Sequence, residues 1–374
     1  MTPEKFFQKK KIIVCCGSGG VGKTTLAASL GLQAALLGKK VIVLTIDPAK
    51  RLATAMGLDS LQSDPQEIHI PEELISEASD KKAGKLFAMM LDTKRTFDRL
   101  IEKYSTRPAT REAILNNRLY QHLSSMIAGS QEYMAMEKLH EIYQEGKFDL
   151  ILLDTPPTRH ALDFLEAPKK MIHLTGNSLL KWFLNPTLFA SRFGFGLIGK
   201  GAEKILSVFD RLAGLSFLHE LAEMVSLIGD LLGGFQERAQ SVYDLLRENF
   251  VGFLLVTSPA SLSIQDALHF YQKIKEADLP FMGFVINRVH ELSQNTPTKD
   301  IRDEDVEGLA PSLKAKVLEH LKNFNQLALG DEATIRLLKK TAGKNEIYLP
   351  IPIFSEDVHD LEGLRNVGLE MFSS

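Results

Sequence analysis

Short apolar runs recur along the chain at Ile12–Cys16, Val41–Ile46, Leu86–Leu91, Asp149–Asp154, Val251–Thr257, Phe281–Asn287 and Ile347–Ile353. Most are apolar at every position rather than alternating, the pattern of strands in a parallel sheet covered on both faces. Helical stretches stand between them, among them Thr24–Leu37, which reads as amphipathic, and Ser263–Ala277. This rhythm predicts an α/β fold with a mostly parallel, doubly wound sheet, although it does not give the strand order.

Two long segments break the rhythm. Thr93 to Glu145 reads as several helices interrupted at Arg107-Pro108 and around Gly129, and Thr158 to Asn249 contains no convincing strand. Both are too long for connecting loops, which predicts a helical subdomain from about 93–145 and 158–249. It is inserted into a single domain spanning 1–374, whose core comes from 11–92, 146–157 and 250–356. From Leu218 the apolar positions Leu221, Val225, Ile228, Leu232, Phe235, Ala239, Val242 and Leu246 fall at helical steps, with Gly229, Gly233 and Gly234 among them. A glycine in a helix interior costs about 1 kcal/mol relative to alanine, so a break is expected near Gly233-Gly234. Phe and Gly interleave from Phe189 to Gly201, which reads as a loop.

Composition narrows the classes. The chain has 374 residues, 44% hydrophobic and 24% charged, with a formal net charge of −3. That is globular, and it lacks the basic excess of a nucleic-acid binder. The two cysteines, Cys15 and Cys16, are adjacent inside an apolar run. They exclude a disulfide framework within this chain and read as buried thiols of a reduced protein. The apolar run behind Lys9, Lys10 and Lys11 is too short for a signal-peptide core, and charges interrupt the apolar region from Phe183 to Leu246. The expectation is a soluble, cytoplasmic protein with no stable membrane span.

The chemistry is concentrated after the first strand. Gly17-Ser18-Gly19-Gly20-Val21-Gly22-Lys23-Thr24 fits G-x-x-x-x-G-K-[ST] between a predicted strand and a predicted helix. Glycines let the backbone curl so that successive N–H groups face phosphate oxygens, and the helix N-terminus adds partial positive charge. Lys23 is placed to reach the β- and γ-phosphates, and the Thr24 hydroxyl to ligate Mg²⁺. Asp154 ends the run Phe148–Leu153, the place of a carboxylate that supports the metal, or of a plain turn cap. Asp47 ends another strand ahead of Pro48, so both carboxylates belong at the carboxyl edge of the sheet. Asp47 is a candidate for orienting water, with turn capping as the alternative.

Gly17–Thr25, Thr45-Ile46-Asp47-Pro48-Ala49 and Asp154-Thr155-Pro156-Pro157-Thr158-Arg159-His160 together resemble the ArsA/Get-type ATPases, P-loop proteins of the same wider class as MinD and the nitrogenase iron protein. Val285-Ile286-Asn287-Arg288 is similar to the family's adenine-reading segment, and Pro350-Ile351-Pro352-Ile353-Phe354 to its late loop over the base. The resemblance implies ATP and Mg²⁺ as ligands, phosphate contacts from Gly17, Ser18, Gly19, Gly20, Val21, Gly22, Lys23, Thr24 and Thr25, and a metal held through Thr24 and Asp154. It further implies Asp47 as the water-activating residue of a first switch, Asp154 to His160 as a second, and adenine contacts from Asn287, Pro352 and Phe354. It also implies a homodimer, or a heterodimer with a related ATPase, that handles a protein client.

Departures from the family define the alternatives. The family's loop usually carries Lys after its first Gly, reaching the partner's phosphates; here Ser18 stands there. Lys50, Arg51 and Arg159 are candidate replacement cations, each equally readable as a solvated surface base. The family's thiol-built arsenite site and its Cys-x-x-Cys zinc clamp cannot form in this chain, because no cysteine lies outside positions 15 and 16. His69, His122, His140, His160, His173 and His219 show no ligand spacing. The stripe after Leu218 is either a bundle core or a groove for an apolar client, with Phe193-Gly194-Phe195-Gly196 as its lid or as a loop. Beside an ATPase, a nucleotide-binding regulatory or scaffold subunit remains open. A MinD-like membrane-surface ATPase is disfavoured by the acidic character of Asp357–Ser374.

Overall fold

The computed structural model describes residues 1–46, 51–76, 83–105, 107–117, 120–121, 130–155, 232–291 and 310–373. The chain divides into two compact units, one from Met1–Met90, Ile142–Leu162 and Arg247–Ser374, the other from Leu91–Glu141 and Asp163–Leu246.

The first unit is built on eight strands: β1 (Ile12–Cys16), β2 (Lys40–Thr45), β3 (Gln66–Ile68), β4 (Lys85–Met90), β5 (Leu150–Asp154), β6 (Val251–Thr257), β7 (Phe281–Val289) and β8 (Tyr348–Pro352). They form one sheet in the order β3-β4-β2-β5-β1-β6-β7-β8. Every pair is parallel except β3 with β4. This is the doubly wound α/β architecture that the apolar runs predict. Strands β1, β5 and β6 are buried at every position, which is why their sequences do not alternate. The strand order reverses around β1, so the carboxyl ends of β1 and its neighbours frame the crevice where such sheets bind ligands. The sequence pattern misses only β3, an edge strand of three residues that is too short to show a period.

The helix Lys23–Leu36 departs from expectation. It is not amphipathic, since Leu26 through Leu36 are all buried, the polar Ser29 and Gln33 included. The physical reason is a second cover. The helix Leu361–Ser373, which the sequence reading did not identify, packs along it opposite the sheet. Ser29 donates to the Leu364 carbonyl at 2.7 Å and Gln33 Nε2 to the Arg365 carbonyl at 3.2 Å, so the two polar side chains are satisfied across that contact. Phe6 and Phe7 meet Phe372 edge-on, with the Phe6 and Phe372 rings 5.3 Å apart, and tie the two ends of the chain together. A further unforeseen element is the helix Pro311–Ala342. Most of its positions are exposed, the apolar Leu313, Leu327, Leu329 and Leu337 among them; Asp331 anchors it by accepting from the backbone N–H of His290 at 2.9 Å.

In the second unit, Thr93–Tyr104, Pro108–Asn116 and Leu232–Leu246 are helical. The helix Ser130–Glu145 contributes its residues up to Glu141. The expected interruption falls at Arg107, where Pro108 takes the first helical position; its missing N–H costs nothing there. Asp92 caps the first of these helices by accepting from the Arg95 N–H at 2.8 Å. Gly233 and Gly234 are helical within the described part Leu232–Leu246, and Ala239, Val242 and Leu246 are buried. The stripe from Leu218 to Leu231 and the Phe/Gly segment Phe189–Gly201 lie outside the described residues.

Candidate functional site

The site lies in the first unit, where the loop after β1 meets the start of the helix Lys23–Leu36. Two glycines are required by what surrounds them. A Cβ at Gly17 would land on the Val256 carbonyl oxygen of β6, so only glycine lets the loop leave the sheet this close to its neighbour. Gly22 is in the left-handed region at φ 94° and caps the helix without a side-chain hydrogen bond. The N–H groups of the first turn are therefore left to be satisfied from outside the helix.

The charged groups converge beneath this loop. Lys23 is 5% exposed, and its Nζ donates to the Ser18 carbonyl at 2.8 Å, bridging the loop from end to start. Asp154 is fully buried at the end of β5, where parallel register sets it between Cys15 of β1 and Thr45 of β2. Its Oδ2 accepts from the Thr24 hydroxyl at 2.8 Å and the Thr45 hydroxyl at 2.9 Å. Thr155 donates to the Cys15 carbonyl at 2.8 Å, which closes the end of β5 against β1. Burial pushes the Cys16 thiol up to about 12, against the opposing charge of Lys23, and holds the Cys15 thiol well above its ordinary range, with the Asp154 charge adding to the rise. Both therefore stay protonated and serve as packing.

The donor set suits Mg²⁺: two hydroxyls and a carboxylate are hard oxygen ligands, and the thiols beside them are not ionised. Among the described residues no group of three or more His, Cys, Asp or Glu side chains could enclose a metal.

Beside the loop opens a cavity of about 890 Å³. Gly22 and Thr25 line it from the helix start, Asn287 from β7, and Pro352 and Phe354 from the end of β8 and the turn beyond. Sequence positions more than 260 residues apart thus share one cavity wall, as Asn287 shows: its Nδ2 donates to the Val21 carbonyl at 2.9 Å. Thr45 was given no role from sequence, because only the register of β2 against β5 brings its hydroxyl to Asp154. The contributions of Thr54 and of Glu356 to His359 to the cavity wall left no signal in the sequence. Asp47 and Lys50 lie outside the described residues, as do Arg159 and the second-switch segment beyond Thr155. Arg51 opens the short helix Arg51–Ala55.

Residues 10–307 match the family model described as Anion-transporting ATPase. The chain is 29% identical over 282 residues to the ATPase ASNA1 homolog 1 of Paramecium tetraurelia, an alignment covering 75% of this chain and 76% of that one. It is 28% identical over 208 residues to the ATPase GET3 of Malassezia globosa, covering 55% and 56% of the two chains. To the ATPase ASNA1 homolog of Dictyostelium discoideum it is 23% identical over 290 residues, covering 75% and 73%.

Proposed function

The chain belongs to the anion-transporting ATPase family and is an ATPase, and from that premise we propose that it binds Mg·ATP in the 890 Å³ cavity and hydrolyses it to drive the handling of an apolar protein client. The observation that carries this reading is the meeting of Thr24 and Thr45 on buried Asp154 directly below the phosphate loop, with the cavity opening beside it. The loop's inward N–H groups and Lys23 hold the triphosphate. Thr24 and Asp154 hold the metal, the second through the hydroxyl it orients. When bound, Mg²⁺ neutralises charge that develops on the β- and γ-phosphate oxygens. Pro352, Phe354 and Asn287 receive the base. Asp47 orients the attacking water, a role resting on the family resemblance of Thr45-Ile46-Asp47-Pro48. Two copies, or this chain and a related ATPase, form the working dimer, in the cytoplasm. Among the described residues no helix is long and apolar enough to cross a membrane.

Handling of arsenite through thiols is not part of this proposal, because the only thiols in the chain are buried and protonated. Ser18 favours a second reading. Where the family's loop carries a cation, this chain has a hydroxyl, and a cation there is worth about 10³–10⁵ in rate where it operates. A regulatory or scaffold subunit would bind nucleotide and turn over only beside a partner that supplies the charge.

Steady-state Mg·ATP hydrolysis by the purified chain separates the two, measured beside Asp47→Asn and Lys23→Ala with binding followed in each. Turnover by the unsubstituted chain, lost in Asp47→Asn while binding survives, is the expected result. Tight binding with no turnover would overturn self-sufficient hydrolysis and establish the second reading.

A further inference from the structure

We propose that Asn287 is a positioning residue for the phosphate loop, its side-chain amide setting the direction in which the Gly22 N–H points. The proposal rests on the reading that the loop Gly17–Thr24 binds phosphate.

The carbonyl of Val21 and the N–H of Gly22 belong to one trans peptide plane and point in opposite directions. Asn287 Nδ2 holds that carbonyl from the β7 side at 2.9 Å. With the carbonyl held there, the Gly22 N–H is aimed away from β7, at the start of the helix where phosphate oxygens are received. The amide is itself oriented. Asn287 Oδ1 accepts from the backbone N–H of Arg288 at 3.0 Å, and Arg288 takes a left-handed φ of 61°. One side of the amide therefore meets a donor and the other an acceptor, so the network admits only one orientation of it. The fit is close as well: a Cβ at Gly22 would collide with Asn287 Nδ2.

Val21 is buried in the core, but among the described residues no other side-chain hydrogen bond reaches this peptide. Gly22 caps its helix without a side-chain bond, and its φ of 94° is one a glycine leaves readily. The clip joins β7, which carries the cavity's base side, to the loop that carries its phosphate side. Asn287 retains a second amide hydrogen and a second lone pair, so holding the loop does not exclude contact with a base.

A residue that only reads the base acts on ATP alone, whereas one that positions the loop acts on any polyphosphate. The test is affinity of the full chain for Mg·ATP and for inorganic Mg·tripolyphosphate, by calorimetry, in the unsubstituted protein and in Asn287→Ala and Asn287→Leu. Leu retains the bulk of the side chain if the smaller Ala disturbs the fold. The expected result is a roughly tenfold loss for tripolyphosphate, as for one hydrogen bond, and a loss for ATP at least as large, since any base contact goes with it. Loss for ATP with tripolyphosphate unchanged would overturn the proposal and leave Asn287 a base reader. Failure of the unsubstituted chain to bind either ligand would overturn the phosphate reading and this proposal with it. Hydrogen exchange without ligand gives a separate readout: in Asn287→Leu the amides of the loop Gly17–Gly22 should exchange faster while β1 is unchanged. Equal protection in the two proteins would also overturn the clip.

Discussion

The base of the phosphate loop and the interior of the helical unit both bury charge, and they arrange it in opposite ways. Below the loop, Lys23 Nζ donates to the Ser18 carbonyl, and Asp154 Oδ2 accepts from the Thr24 and Thr45 hydroxyls. In the helical unit, Arg238 Nε and Nη2 both donate to Glu137 Oε1, each at 2.6 Å, with the side chains 10% and 4% exposed. Tyr133 Oη, Glu137 Oε2 and His140 Nδ1 are buried close by in sequence on the same helix and make no hydrogen bond among the described residues. Below the loop the buried groups adjoin Gly22 and Thr25, which line a cavity. The helical unit closes its charges on themselves. Burial of charge is therefore not by itself a mark of function here.

The strongest way to break this comparison is Asp154→Ala. Removing the carboxylate that orients Thr24 and Thr45 should lower Mg·ATP turnover by about 10²-fold or more, the range seen when a positioned electrostatic group is lost. Turnover within a few-fold of the unsubstituted chain would show that the convergence on Asp154 has no catalytic meaning. Arg238→Met is next, and should spare nucleotide affinity. It leaves Glu137 buried with its charge uncompensated and should cost about 3–5 kcal/mol in denaturant unfolding. Glu137→Leu with Arg238→Met together should recover most of that loss, because an apolar pair carries no desolvation penalty.

His140 sharpens the comparison through pH. Burial lowers its pKa to about 4, and the charges of Arg238 and Lys103 act the same way. The folded state thus holds His140 neutral while the unfolded chain takes up a proton below about 6.5. Its contribution to stability is fully present above that pH and is lost as pH falls toward 4. Burial shifts the neighbouring Glu137 carboxyl upward, which acts with the opposite sign. The informative quantity is therefore the difference between the stability curves of His140→Leu and the unsubstituted chain. It should be flat above neutrality and change between pH 6.5 and 4, and a difference that stays flat throughout refutes the buried neutral imidazole. The smallest effect belongs to the exposed pair Lys85–Glu67, whose side chains are 58% and 50% exposed. Glu67→Gln should change unfolding free energy by less than about 1 kcal/mol.

Much of the site was legible because its parts are local. The loop from Gly17 to Thr24 is one continuous segment whose glycines, lysine and hydroxyl are placed by the chain itself, and Asp154 announces itself as a polar residue ending an apolar run. The seven apolar runs correspond to seven of the eight strands for the same reason, since a doubly covered strand carries its burial in its own residues. Elements whose burial depends on a distant partner were misread or missed. Lys23–Leu36 looked one-sided because Ser29 and Gln33 are polar, and only the helix Leu361–Ser373 shows that they are covered. Pro311–Ala342 was missed as well; its apolar positions Leu313, Phe324, Leu327 and Leu337 are exposed, so its residues do not report a buried face.

The sequence by itself determined the fold class, the family and the loop proposed to receive phosphate, because each rests on short-range periodicity or on contiguous residues. The tertiary structure alone decided that Thr45 shares Asp154 with Thr24, that Arg238 meets Glu137 across 101 positions, and that Asn287 holds the Val21 carbonyl across 266. Those contacts depend on strand order, register and helix packing, and a one-residue shift in any of them would turn the same side chains away from each other.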